Sequence, residues 1–265
     1  MTPAADGKLL SGTVDRIGYL VINNPERHNA ISLEMWEAAT GIVAAMADDN
    51  DTRVLVVTGA GGKAFASGAD ISKFEKERST EADVKHYQDT SARFYTQLEN
   101  FPKPTLALIK GFCIGGGLAL AVCCDLRLAS DQSRFAVPAA KLGLGYGYPG
   151  IKRLAGLVST STAQEIFYTA RQFNAAEALD MGLVNRVLPP AALDSYASDY
   201  LDRIRDNAPM TIAAVKAVCL AINEDESKRD HAKLDAMVKA CFNSEDYIEG
   251  RRAFMEKRKP DFKGR

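Results

Sequence analysis

At 265 residues, with 46% hydrophobic and 25% charged content, the chain is long enough to bury a large core as one domain with a small appendage. Lys+Arg 33 against Asp+Glu 34 leaves a formal net charge of -1, so no global basic field steers it to nucleic acid or an anionic membrane, and any anionic ligand must meet a local patch. Met1 to Lys8 lacks the apolar run of a signal-peptide core, and no stretch approaches the ~20 apolar residues of a membrane span, so a cytoplasmic setting is expected.

The five cysteines, Cys113, Cys123, Cys124, Cys219 and Cys241, include no CxxC spacing and read as reduced, mostly buried small hydrophobes. His28, His86 and His231 are far apart, without the HxxxH or HxH spacing of a ligand pair, so metal binding is not expected. The GxSxG of an α/β-hydrolase nucleophile is also missing.

In chain order, Leu9 to Asn23 reads as two short strands around Asp15-Arg16-Ile17-Gly18. Leu33, Trp36, Thr40, Val43 and Met46 then fall on one helical face behind Ser32, a candidate N-cap, and the pattern stops near Asp48-Asp49-Asn50. Arg53 to Thr58 is a continuous apolar strand of the kind buried on both faces in a parallel sheet. A second cycle runs from a helix around Val84, Tyr87, Ser91, Phe94 and Leu98 to the strand Thr105 to Ile109. The apolar stretch Leu118 to Cys124 leads through Asp125 to strand candidates at 126–129 and 134–137, a repetition that indicates β/α crossover units. Asn174 with Glu177 forms a capping box for a helix stopped at Gly182. Beyond Leu188 only helical patterns follow, at about 191–206, 208–222, 227–242 and 244–258.

Two glycine-containing turns follow buried strands: Gly59 to Asp70, and Gly111-Phe112-Cys113-Ile114-Gly115-Gly116-Gly117. Both are expected at carboxyl ends of strands, where open α/β sheets place ligands. Glycines ahead of a helix let the backbone approach a ligand closely and leave unpaired N–H groups at the helix's positive end. Two such amides converging on one carbonyl oxygen would form an oxyanion hole.

The stretches Asn24-Pro25-Glu26-Arg27-His28-Asn29-Ala30, Lys63-Ala64-Phe65-Ala66-Ser67-Gly68-Ala69-Asp70-Ile71, Pro104 through Gly117 with Cys124-Asp125, and Glu256 to Phe262 resemble the crotonase, or enoyl-CoA hydratase/isomerase, superfamily, in family order over nearly the whole chain. The resemblance implies an α/β fold with a crotonase-type ββα spiral core and an all-helical C-terminal region. It places an acyl-CoA-binding core at residues 1–190 and a helical trimerisation region at 191–265, giving homotrimers or dimers of trimers. It implies acyl-CoA thioesters as ligands, with coenzyme A as part of the substrate rather than a cofactor. By position, the Ala69 and Gly116 amides match the family's oxyanion hole, and Ala66, Ser67, Gly68, Asp70, Ile71 and Gly115 belong to the same ligand-binding loops. Arg27 and Lys259 are candidates for the coenzyme A phosphates, and Phe262 for adenine, across a subunit contact or as a tail anchor.

The pattern departs where family hydratases carry two glutamates, one acting on water and one on the α-carbon. Those positions hold Ala119 and Ala139, and alanine neither gives nor takes a proton. The stretch Leu142 to Gly150 resembles instead the active-site loop of methylmalonyl-CoA decarboxylase, with its tyrosine matched by Tyr146; that enzyme, however, has histidine where this chain has Ala69. Loss of CO₂ itself creates an enolate, so only a proton donor is needed, and Tyr146 is the candidate, with Tyr148 beside it as substrate contact or pocket wall. Asp70 and Asp125 are expected to bind loop amides at helix starts. Ser67 has no adjacent base to make it a nucleophile, and Lys141 reads as a solvated charge.

The expectation is therefore an enzyme that stabilises a thioester enolate and favours decarboxylation or another non-hydratase reaction. A hydratase or isomerase using an acid from elsewhere, such as Glu75 or Glu77, remains an alternative, as does a non-catalytic acyl-CoA binding protein. Gly145 to Gly150 also fits GxGxxG, but it follows no strand and is interrupted by Pro149, which argues against a dinucleotide site.

Overall fold

The computed structural model describes residues 1–70, 73 and 79–265. Strands β1 (Thr2–Ala4), β2 (Leu9–Val14) and β3 (Ile17–Ile22) form an antiparallel meander. Asp15 and Arg16, both at positive φ (49° and 65°), close the β2–β3 hairpin with the backbone twist such turns need. Helix α1 (Leu33–Asp48) crosses over to β4 (Val54–Gly59), which pairs parallel with β3. Ser32 occupies the N-cap position with extended dihedrals, but its hydroxyl makes no capping bond.

From β4 onward the chain repeats one unit. Each turn lays a strand in a large sheet and a short strand in a second sheet, and then runs into helix. The pairs are β4 with β5 (Ala64–Ala66), β6 (Thr105–Ile109) with β7 (Phe112–Ile114), and β8 (Leu126–Ser130) with β9 (Arg134–Ala136). The helices that follow are α2 (Glu81–Glu99), α3 (Gly116–Val122), and, after a 3₁₀ turn at Pro138–Leu142, α4 (Tyr148–Ala155) and α5 (Thr160–Thr169). With β10 (Phe173–Asn174) and β11 (Arg186–Leu188), the sheet orders are β1-β2-β3-β4-β6-β8-β11 and β10-β9-β7-β5. This is the ββα spiral anticipated above.

Helix α2 begins at a capping box in which Thr80 and Asp83 satisfy each other's backbone amides. The box formed by Asn174 and Glu177 starts α6 (Ala175–Asp180) as predicted. The tail is helical, as expected: α7 (Pro190–Asp206), α8 (Pro209–Ile222), α9 (His231–Phe242) and α10 (Glu245–Glu256).

The central strand β4 is closed on both faces. Val54, Leu55, Val56 and Val57 are each 0% exposed. Leu55 and Val57 join the main core with Trp36, Phe65, Phe94 and Phe135. Val54 and Val56 pack against Leu193, Ala197 and Leu201 of α7 on the opposite face. The first helix of the C-terminal region is thus also the second cover of the sheet. Cys113, Cys123 and Cys124 are buried thiols, whereas Cys219 is exposed and Cys241 half-exposed. Among the described residues no helix is long and apolar enough to cross a membrane.

Two glycines permit the close crossing of the two sheets. A Cβ on Gly111 (φ 68°) would lie 1.9 Å from the Lys63 carbonyl oxygen, and one on Gly117 would lie 2.1 Å from that of Ala66. A side chain on Gly117 would push α3 off β5, and one on Gly111 would push the β6–β7 turn off the residue ahead of β5.

Candidate active site

The two glycine turns meet at the carboxyl ends of β5 and β7. Ile31 forms a parallel bridge with Ala69, in which the Ile31 amide donates to the Gly68 carbonyl (2.8 Å) and the Asp70 amide donates to the Ile31 carbonyl (3.0 Å). Ile31 therefore uses the groups on either side of Ala69, and the Ala69 N–H is left out of the pairing. Gly116 is the first residue of α3, where an N–H has no intrahelical acceptor. Neither amide donates to a partner among the described residues.

The turns are also in contact. A Cβ on Gly68 (φ 96°) would be 3.1 Å from the Gly116 nitrogen, and one on Gly116 would be 3.4 Å from Gly68 Cα and 3.7 Å from the Ala69 nitrogen. Gly115, also at positive φ (55°), gives its amide to the Ala136 carbonyl at 2.8 Å, so that bond anchors the turn while the next amide stays available. Two unconsumed donors thus flank one small space, as an oxyanion hole requires.

Ala119 lies one turn into α3 and is half-buried; Ala139, in the 3₁₀ turn, is buried. Both side chains are methyl groups, which neither give nor take a proton. Tyr146 packs edge-on against Phe167 with ring centroids 4.8 Å apart. Gly150 leaves room for this ring, since a Cβ there would fall 2.7 Å from Tyr146 Cε1. Burial, with a smaller contribution from Cys123, pushes the Tyr146 phenol up to about 12, so it keeps its proton at neutral pH. Cys123, likewise shifted upward by burial, points its thiol to the Ala119 carbonyl at 3.1 Å.

Sequence reasoning missed Tyr95. Its hydroxyl donates to the Gly116 carbonyl at 3.2 Å. Burial and the neighbouring Tyr146 hold its pKa well above the usual phenol value. Helical periodicity places Tyr95 beside the buried face of α2, but no local pattern ties that helix to the glycine turn. Also missed was the pair of Arg153 on α4 and Glu99 at the end of α2, 2.7 Å apart, the carboxylate being near enough to influence Cys123.

The other predicted residues divide into two groups. Ala66, Ser67, Gly68 and Asp70 lie in the turn beside Ala69; Ser67 donates to the Arg27 carbonyl at 3.3 Å, and Arg27 approaches Asp70 at 3.4 Å. Lys141 is exposed, as expected. Ile71, Glu75 and Glu77 lie outside the described residues. Tyr148, by contrast, is 76% exposed at the start of α4. Within one chain Lys259 and Phe262 are remote from the site. Lys259 pairs with Asp206 at 2.5 Å, and the Phe262 carbonyl accepts from Arg53, just ahead of β4 and so at the opposite end of that strand from Gly59. Asp125 is structural, but its partners are not at a helix start: it accepts from the Thr105 amide (2.7 Å) and from the buried Lys216 (2.8 Å), clamping β6 to α8.

A ββα spiral that brings two unpaired main-chain donors to one point at its strand ends defines an α/β protein suited to polarising a carbonyl. The model of the enoyl-CoA hydratase/isomerase family matches residues 13–265, and the chain belongs to that family. It is 34% identical over 254 residues to a short-chain-enoyl-CoA hydratase of Clostridium acetobutylicum, covering 94% of this chain and 95% of that protein. It is 32% identical over 250 residues to a carnitinyl-CoA dehydratase of Proteus mirabilis, covering 93% and 94%. The crystal structure of an enoyl-CoA hydratase/carnithine racemase from Magnetospirillum magneticum superposes with a TM-score of 0.93 at 32% identity, over 97% of this chain and 96% of that one.

Proposed function

We propose that the protein binds an acyl-CoA thioester, holds its carbonyl oxygen between the Ala69 and Gly116 amides, and catalyses a reaction that proceeds through the enolate without a pair of carboxylates. The carrying observation is the two amides, unconsumed among the described residues, that flank one space. Each such donor lowers a barrier by about 3 kcal/mol where charge develops on oxygen.

Decarboxylation of a carboxyacyl thioester suits this chemistry best. The bond between the α-carbon and the carboxylate breaks, CO₂ leaves, and the electron pair passes into the enolate held by the two amides. The α-carbon then takes a proton from the Tyr146 hydroxyl or from water ordered by it. A neutral phenol suits that role, because a carboxylate in its place would repel the substrate carboxylate.

Hydration is the second reading, favoured by the names of the relatives. It requires an acid from another segment, and the Glu99 carboxylate near Cys123 is the candidate.

Assembly as a homotrimer or dimer of trimers is part of the proposal, as is a cytoplasmic setting. Supporting assembly is an apolar groove of about 1040 Å³ between α8, α9 and α10, with Phe254 82% exposed at its edge. Mass spectrometry of the purified protein with crotonyl-, 3-enoyl-, malonyl- and methylmalonyl-CoA tests the reaction. Loss of CO₂ from a carboxyacyl substrate is expected. Addition of water to crotonyl-CoA would favour hydration, and binding with no turnover and no α-proton exchange in D₂O would leave a passive binder.

A further inference from the structure

The α2 helix carries two phenols with different duties. Tyr87 is buried and its oxygen accepts from the Trp36 indole N–H at 3.1 Å, which ties α2 to α1. Tyr95 sits two turns further on, its ring edge-on to Trp36 with centroids 5.1 Å apart, and its hydroxyl reaches out of that aromatic layer to the Gly116 carbonyl. A Cβ on Gly116 would lie 3.3 Å from this hydroxyl and 3.7 Å from the Ala69 nitrogen, so the Tyr95 oxygen stands at the flank of the two-amide space.

Gly116 is held from two sides. Its N–H belongs to the Gly115–Gly116 peptide, whose carbonyl accepts from the Ala119 amide at 3.0 Å, while its own carbonyl, in the next peptide, accepts from the Tyr95 hydroxyl. The α3 helix it opens has only seven residues, and a glycine has no side chain to restrict rotation about its Cα, so these bonds set how the two peptides are turned relative to one another. A rigid aromatic side chain, wedged against Trp36 and bonded to the Gly116 carbonyl, fixes the second of them.

We propose that Tyr95 is a positioning residue of the oxyanion site, its hydroxyl locking the Gly116 carbonyl at the start of α3 and so the glycine turn from which the Gly116 N–H, in the preceding peptide, meets the thioester oxygen together with that of Ala69. The inference rests on the thioester reading above. Tyr95 acts through Gly116 and transfers no proton. The cost of losing this lock falls on carbonyl polarisation rather than on ground-state binding, because most contacts to a long acyl-CoA lie elsewhere.

The test uses 4-dimethylaminocinnamoyl-CoA, whose absorption moves to longer wavelength as its thioester carbonyl is polarised. The wild-type protein is expected to red-shift the bound probe. Tyr95→Phe, which keeps the ring, is expected to lose most of that shift and to slow α-proton exchange from a saturated acyl-CoA about tenfold, while its Kd for the probe stays within about threefold. Tyr87→Phe, which removes a hydroxyl from the same helix away from Gly116, is expected to retain the shift. A full shift in Tyr95→Phe beside a shifted wild type would overturn the positioning role alone. Abolished binding in a folded Tyr95→Phe would overturn it too, by making Tyr95 a substrate contact. A wild type that leaves the probe unshifted would overturn the thioester reading and this inference with it.

Discussion

At the scale of single residues, the proposed chemistry depends on what is left unpaired and uncharged. Among the described residues the Ala69 and Gly116 amides donate to no acceptor, and Tyr95, bonded to the Gly116 carbonyl, and its neighbours Tyr146 and Cys123 are held in their protonated forms by burial. With its phenol pushed up to about 12, Tyr146 stays neutral across the working pH range. Replacing Tyr146 with Phe should lower any decarboxylation at least about tenfold, read as kcat at saturating substrate; an unchanged rate would remove its hydroxyl from the mechanism. Such residues were unequally legible. Ala69, Gly116 and Tyr146 are embedded in contiguous motifs, so the sequence points to them directly. Tyr95 is brought to Gly116 only by the packing of α2, and no spacing along the chain encodes that meeting. Tyr148 looks equivalent to Tyr146 in the alternation of glycine and tyrosine, yet it begins α4 exposed, whereas the Tyr146 ring occupies the space left by Gly150.

Secondary-structure elements set where those residues meet, and adjacent glycines in one turn serve different ends. Gly117 is the contact point of α3 with β5, whereas Gly116 borders the open space between the turns. Gly117→Ala should cost about 2 kcal/mol or more in urea unfolding, since its methyl has nowhere to go. Gly116→Ala should stay within about 1 kcal/mol of wild type, the methyl meeting its nearest neighbour at 3.3 Å, yet lose on the order of a hundredfold in α-proton exchange because that methyl intrudes beside the Ala69 amide. Equal stability losses in the two variants would contradict this division. The long strands and helices are legible from apolar runs and period, as β4 and α1 show. Of the three-residue strands, β9 falls within the candidate at 134–137, whereas β5 and β7 are not legible, because each lies inside a glycine turn and is defined only by its neighbours in the second sheet. Ser32 has the sequence of an N-cap and only the position of one, whereas the effective cap of α2, Thr80 with Asp83, drew no notice in a run dense with charge.

In the whole molecule, the spiral places the turns that follow its parallel strands β4, β6 and β8 on one side, while the tail is anchored at the other. Arg53 donates to the carbonyls of Arg205 and Phe262, and the Asp246 carboxylate accepts the amides of Lys263 and Gly264, folding the chain's last residues onto the N-terminal end of β4. Under the assembly proposed above, the motif residues Lys259 and Phe262, held at that opposite end, would meet the coenzyme A moiety of a neighbouring subunit. The exposed apolar groove of α8 to α10 is the surface on which such a neighbour would sit. Phe254→Glu should shift the mass measured by light scattering toward the monomer, and an unchanged mass would place the contact elsewhere. Oligomer geometry is a property of paired surfaces, which a single sequence does not spell out. One oxygen atom decides the proposed chemistry, and a crystal structure with a saturated acyl-CoA locates it. The thioester oxygen is predicted to lie about 2.7–3.1 Å from both the Ala69 and Gly116 nitrogens; an oxygen out of reach of either amide would contradict the account.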